Sequence, residues 1–192
     1  MTIYKILPDY ERYCVFTLPM KDILLALRNK ISPTRLMHFY KHNLSLENVW
    51  VDISATFESV AGTATTGALP DVTVWIPGTL VFSAHAIEVL PGIENCGELL
   101  PVKTLSGRYW ILNCMKLVNA DEQHSKYITE ADQVLDVEVL QFSDEEAKRA
   151  GLFKSPFDGC RNVFCSEQWM KAIQHAKLGG LNFSENLAGG LE

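Results

Sequence analysis

The stretch TLVFSAHAIEVLPGIENCGELLPVKTLSGRYWILNCM, residues 79–115, carries the densest run of structural signals in the chain. Leu80, Val81 and Phe82 form a short apolar run. Ser83 follows, with a side-chain oxygen suited to the unpaired N–H groups at a helix start. Residues 84–90 fit a helix with Ile87 and Leu90 three apart on one face, and Pro91-Gly92 stops it. A strand over 99–103 turns at Ser106-Gly107 into the most apolar strand of the protein, residues 109–114. The whole reads as strand, capped helix, strand, tight turn, strand. It contains no reactive constellation, so it speaks to fold and not to chemistry.

Working back towards the N-terminus, residues 3–7 (IYKIL) alternate as a strand does, and Pro8-Asp9 ends it. Residues 13–16 fit a second short strand. Met20, Ile23, Leu24 and Leu27 follow the i, i+3, i+4, i+7 spacing of an amphipathic helix over 20–28. Ser32 caps a further helix, with Pro33 at the first helical position, where its missing N–H costs nothing. Residues 49–57 (VWVDISATF) predict one strand with Val49, Val51, Ile53 and Ala55 on one face. Residues 58–69 are small, Gly-containing and loose. They are expected to form a surface connection, with a recognition loop as the alternative. Val72 to Ile76 predicts a strand, and Pro77-Gly78 suits the centre of a type II turn.

Working forward, residues 117–128 are polar and read as a loop, and residues 134–142 as a strand with one part-buried face. Ser143 and Glu146 have capping-box spacing at the start of a short helix, with acids in its first turn and Lys148 and Arg149 in its last. Residue 152 starts a loop that runs through Pro156 and Gly159. Residues 163–165 read as a strand, with Ser166 as cap. Trp169, Ile173 and Ala176 form the stripe of a helix that Gly179-Gly180 closes, and residues 181–183 lead away. Short strands and helices without strict alternation predict an α+β fold: a mixed, largely antiparallel sheet with short capped helices on one face. An N-terminal strand–helix–helix–strand part (1–66) and a C-terminal α+β part (72–184) are expected to form one folded unit.

The chain has 192 residues, 47% of them hydrophobic and 21% charged, the proportions of an ordinary globular protein. No apolar run approaches the ~20 residues that span a bilayer, and the first fifteen residues are mixed and charged. A cytoplasmic location without membrane contact is expected. Cys14, Cys96, Cys114, Cys160 and Cys165 are odd in number and lack paired spacing, which predicts reduced, structural cysteines. The net charge of −6 is unevenly distributed. Residues 119–146 hold nine carboxylates against Lys126 alone, a local −8, and the rest of the chain is weakly positive. Such a run is either a solvated face or a surface that meets a basic partner. Without a Lys/Arg stripe, direct binding to nucleic acid is not expected.

Catalytic signals are sparse. His38 and His42, four apart, would share a helix face, but no H-E-x-x-H pattern surrounds them and no third ligand lies nearby. Ser83 and Ser166 lack the G-x-S-x-G elbow, so helix capping is the expected role, and a carboxylate in their place would cap as well. No phosphate-cradling loop is present, so no cofactor is expected and no metal site either.

From residue 79 onward the order of features resembles the eleventh numbered immunity family of bacterial polymorphic toxin systems. The pieces are LVFS with its helix (80–90), GELLPV (97–102), GRYWILNC (107–114), Asp121 with Ser125, GLFK (151–154), NVFCSEQWMKAI (162–173) and GGLNF (179–183). The resemblance covers about residues 79–183. It implies a small cytoplasmic, non-enzymatic protein that binds a cognate toxin and blocks it. A basic toxin acting on nucleic acid would suit the acidic segment. Within that segment Asp144, Glu145 and Glu146 are explained by their helix start. Asp121, Glu122, Glu130 and Asp132, in looser sequence, are the expected contact residues. The competing readings are a small enzyme using His38, His42 or His124, and a regulatory protein-binding scaffold.

Overall fold

The computed structural model describes residues 2–59 and 67–189, so the centre of the loose 58–69 connection lies outside the described residues. In chain order the elements are β1 (Ile3–Pro8), β2 (Val15–Thr17), α1 (Met20–Ala26), α2 (Pro33–Met37), β3 (Ile53–Ser54), β4 (Thr56–Glu58), β5 (Val72–Val74), β6 (Thr79–Ser83) and α3 (Ala84–Val89). There follow β7 (Gly97–Thr104), β8 (Gly107–Cys114), β9 (Lys126–Glu130), β10 (Gln133–Val139), α4 (Asp144–Ala150), β11 (Leu152–Phe153), β12 (Phe164–Ser166), α5 (Glu167–His175) and β13 (Leu181–Ser184). The fold is α+β, with mixed, mainly antiparallel sheets and short helices packed on them.

The 79–115 stretch builds the centre of a five-stranded sheet ordered β3-β7-β8-β6-β5. Pro77-Gly78 turns the chain into β6: Gly78 sits at φ 69° and the Thr79 N–H returns to the Ile76 carbonyl at 3.1 Å, as a type II turn requires. β7 and β8 pair over their full length, from Gly97 opposite Cys114 to Thr104 opposite Gly107. Period-2 alternation then sends successive side chains to opposite faces. Val81, Leu100, Val102, Tyr109 and Ile111 enter one core, with Leu27, Leu36, Phe39 and Leu46 from the N-terminal segment. Leu80, Phe82, Leu112 and Cys114 enter a second core, with Ala86, Leu90, Met170 and Ile173 from α3, the turn after it, and α5.

A four-stranded sheet ordered β11-β12-β1-β13 divides its residues in the same manner. Ile6, Leu152, Cys165 and Leu181 face the second core, whereas Ile3, Phe153 and Phe164 face a third, closed by Val118, Val137, Leu140 and Ala147. The first strand of the chain thus lies between two of the last, with Ile3 opposite Ser166 and Ile6 opposite Phe183.

Several sequence expectations change. Residues 49–57 do not form one strand, because β3 pairs in parallel with β7 while β4 crosses to β2. Ala55 marks the change of partner, its N–H held by the Lys103 carbonyl at 2.8 Å. Lys126 to Ile128 belong to β9 and not to a loop, Leu152 begins β11, and residues 181–183 return to pair with β1. The five-stranded and four-stranded sheets carry helices on both faces, where helices on one face were expected. Ser143 precedes α4 but its side chain makes no cap hydrogen bond, so the capping box does not form. His38 lies just past the end of α2.

Polar groups fasten the layers. The Glu98 carboxylate accepts from the Ser45 hydroxyl, from the backbone N–H of Leu46 at 2.9 Å and from Asn113 Nδ2 at 3.0 Å. Lys154 is fully buried, and its ammonium donates to the Tyr40 carbonyl at 2.6 Å. Burial lowers its affinity for the proton. Asp158 is also buried; Oδ2 accepts from the Asn162 backbone N–H and Nδ2, and Oδ1 has no partner. Desolvation pushes its carboxyl above the ordinary range despite those bonds.

Ser83 Oγ accepts from the Ala86 N–H at 3.1 Å and Ser166 Oγ from the Trp169 N–H at 3.4 Å. Alanine at either should cost about 0.5–2 kcal/mol in a denaturant melt, and at Ser143 almost nothing. Ser83 Oγ also donates to Asp71 Oδ1 at 3.3 Å, so Ser83→Asp sets two carboxylates together and should destabilise, contrary to the sequence expectation. Removing residues 2–8 takes the pairing partner from both β12 and β13 and should abolish cooperative unfolding. For Asp158, the unfolded chain ionises first as pH rises from about 4. Stability from this group therefore falls with rising pH, and Asp158→Asn should gain relative to wild type from pH 4 towards 7 in paired melts.

Candidate partner-binding surface

Between β8 and α4 the chain forms a β-ribbon, β9 with β10, outside both larger sheets. Its turn is the pair Ala131-Asp132, at φ 47° and 64°. Two consecutive positive φ values characterise the hairpin turns whose twist matches that of the strands, and Asp tolerates that region better than most residues. The ladder runs from Glu130 opposite Gln133 to Lys126 opposite Val139, with register shifts between Val134 and Asp136 and between Val137 and Val139.

Among the described residues the ribbon is anchored at one end only. Val137 and the following Leu140 are buried in the third core. Tyr127 stacks on Phe157 at 4.0 Å between ring centres and 7° between planes, and its hydroxyl donates to the Phe157 carbonyl at 3.0 Å. Arg161 Nη2 donates to Asp136 Oδ1 at 2.8 Å, while its Nε donates to the Asp158 carbonyl at 2.9 Å. The Asp136 carboxyl lies below its usual range, through the Val137 backbone N–H first and Arg161 second. Every residue of β9, and Ala131 to Leu135 beyond it, is exposed.

The four expected contact residues all belong to this substructure, but in two places. Asp121 sits in a loop held to the ribbon's base, its N–H donating to the Gln141 carbonyl at 2.8 Å. Its Oδ1 accepts from the Gln123 N–H at 3.1 Å and Oδ2 meets His124 Nδ1 at 2.8 Å. The His124 hydrogen bond chiefly holds the Asp121 carboxyl low. Glu122 is exposed beside it, while Glu130 ends β9 and Asp132 occupies the turn. Four residue steps along a strand separate base from tip by about 14 Å, beyond the ~8 Å screening length of physiological salt. The carboxylates are therefore two patches and not one cluster. Nor are they in loose sequence: Glu130 is in a strand, and Asp132 in a defined turn. Among the described residues no ion pair involves Glu122, Glu130 or Asp132.

His38 and His42 are exposed in the segment packed on the first core, and His124 is on the loop at the ribbon's base. Among the described residues, no group of three or more His, Cys, Asp or Glu is placed to hold a metal ion. No described helix is long and apolar enough to cross a membrane. All five cysteines are free and buried, and desolvation pushes the Cys114 thiol up to about 12.

Sequence reasoning missed β9 because Lys126-Tyr127-Ile128-Thr129-Glu130 lacks clean alternation and Ala131-Asp132 is not one of the glycine turns that announce a hairpin. The strand-forming character of Tyr, Ile and Thr was the available signal.

Residues 103–187 match the model of an immunity protein family, Imm11, and no curated protein matches the chain. The matched segment is less than half of the chain. It begins at the end of β7, so the LVFS helix module and GELLPV lie before it, and it includes the whole acidic ribbon. It omits β1, the strand that completes its second sheet.

Proposed function

We propose that this protein is a cytoplasmic immunity protein that binds one cognate toxin and neutralises it by direct, non-catalytic occlusion. The observation that carries this reading is the match of residues 103–187 to an immunity family, over a segment containing an exposed, singly anchored acidic ribbon. Occlusion needs a rigid scaffold and a complementary face, and no reacting group. Two sheets buried on both faces supply rigidity, and the acidic segment supplies a face for a basic toxin surface, such as an enzyme acting on nucleic acid presents. In this reading the chain works as one folded unit, because residues 1–66 contribute β1 to the sheet that supports the ribbon.

Opposed charge speeds encounter more than it strengthens the final complex. Asp121, Glu122, Glu130 and Asp132 are the steering residues, although Asp121 also holds its own loop and Asp132 its own turn. A fold-neutral test therefore combines Glu122→Lys and Glu130→Lys with Asp132→Asn. With the toxin encoded beside this gene, the variant should associate on the order of tenfold more slowly at low salt. The difference should shrink as salt is added. Wild-type protein that neither binds that toxin nor rescues cells expressing it would overturn the immunity reading; an unchanged association rate would overturn only the steering role.

A further inference from the structure

The ribbon carries a second feature that charge does not explain. Eleven large hydrophobic side chains are exposed among the described residues, and four of them, Tyr127, Ile128, Val134 and Leu135, fall within the fourteen residues of β9, the turn and β10. Tyr127 is accounted for by its stack on Phe157. The other three have no such partner among the aromatic contacts or core clusters, and their exposures are 46% for Ile128, 58% for Val134 and 56% for Leu135. Solvent-facing strand positions in a stable ribbon are normally polar, and β-ribbons with apolar surface are prone to unwanted pairing.

Their placement gathers them at the outer half of the ribbon. Val134 lies opposite Thr129 and Asp136 opposite Ile128, and the register shift leaves Leu135 as the extra residue between them. Because Ile128 and Thr129 are consecutive in β9, Val134 and Ile128 lie on opposite faces of the ribbon, with Leu135 at the bulge between them, so the outer half carries aliphatic side chains on both faces, rimmed by Glu130, Asp132 and Glu138, all exposed. An apolar centre in a charged rim is the arrangement of a docking surface, in which the centre supplies affinity and the rim supplies orientation.

We propose that Ile128, Val134 and Leu135 form the apolar anchor with which the outer half of the ribbon, aliphatic on both faces, inserts into a partner protein cleft that is itself apolar at its centre and ringed by Lys or Arg. The rim decides against a second copy of this chain. Two such ribbons brought together would oppose Glu130, Asp132 and Glu138 with carboxylates of the same kind, and like charges brought together in an interface are strongly unfavourable. This inference rests on the immunity reading, in which the basic partner is the toxin.

The test is the triple variant Ile128→Thr, Val134→Thr and Leu135→Thr, which keeps strand-forming residues and leaves every charge in place. Leu135→Ser alone serves as a milder companion at the extra residue of the bulge, and thermal melts confirm that each is folded. Against the toxin encoded beside this gene, the triple variant should lose at least 100-fold in affinity. The loss should lie in a faster dissociation rate and persist at high salt, unlike the effect of the charge variant. Leu135→Ser should show the same direction at roughly tenfold. Wild-type affinity in the folded triple variant, or in Leu135→Ser should the triple variant not fold, overturns the anchor while leaving immunity intact. Wild-type protein that does not bind that toxin overturns both, and self-association lost in the triple variant overturns the choice of partner.

Discussion

Burial of β8 on both faces is the constraint on which the structure depends. Tyr109 and Ile111 point into one core and Leu112 and Cys114 into another, so neither face of this strand can be left to water. Each fully buried aliphatic side chain contributes about 1.5–3 kcal/mol relative to exposure. The two layers that cover β8 are therefore requirements of the strand. One is supplied by residues 16–57; the other by α3, α5 and the inner face of the four-stranded sheet. That sheet has the same difficulty, because Phe153 and Phe164 leave its outer face apolar, and residues 118–147 answer it with Val118, Val137, Leu140 and Ala147.

The acidic ribbon follows from this last step. Only its base is needed to close the third core, through Val137 and the adjacent Leu140, and only its base is pinned by Tyr127 on Phe157 and Asp136 on Arg161. Packing therefore does not dictate the side chains of the outer half, which nonetheless hold three exposed aliphatic groups inside a carboxylate rim. On the proposed reading, a surface freed from the demands of the core, but not given the polar composition that solvent favours, is shaped by a partner outside the chain. A toxin surface satisfies that description.

Much of the fold was legible in the sequence, and for physical reasons. Ser83 and Ser166 announce their helices because the capping hydrogen bond is local, and Pro77-Gly78 announces its turn because only glycine takes that φ without strain. Residues 109–114 announce a strand because their side chains are almost all apolar, on both faces. What escaped was set by distant contacts. Nothing local in residues 49–57 says that Ala55 changes sheets, and the pairing of Ile3 to Pro8 with β12 and β13 depends on residues about 160–180 positions away. The candidate surface was legible as charge but not as shape. The acids at 121, 122, 130 and 132 stood out by composition, while the strand joining two of them to the body, and the exposed aliphatic side chains beside them, did not.

Hydrogen exchange of the backbone amides, measured on the whole protein alone and in complex with the toxin encoded beside its gene, tests the central claim most directly. The account predicts added protection confined to residues 119–142 and strongest across β9 and the Ala131-Asp132 turn, with the five-stranded sheet unchanged. A bound toxin that instead protects α3, α5 or the segment carrying His38 and His42, and leaves β9 exchanging as in the free protein, would contradict it.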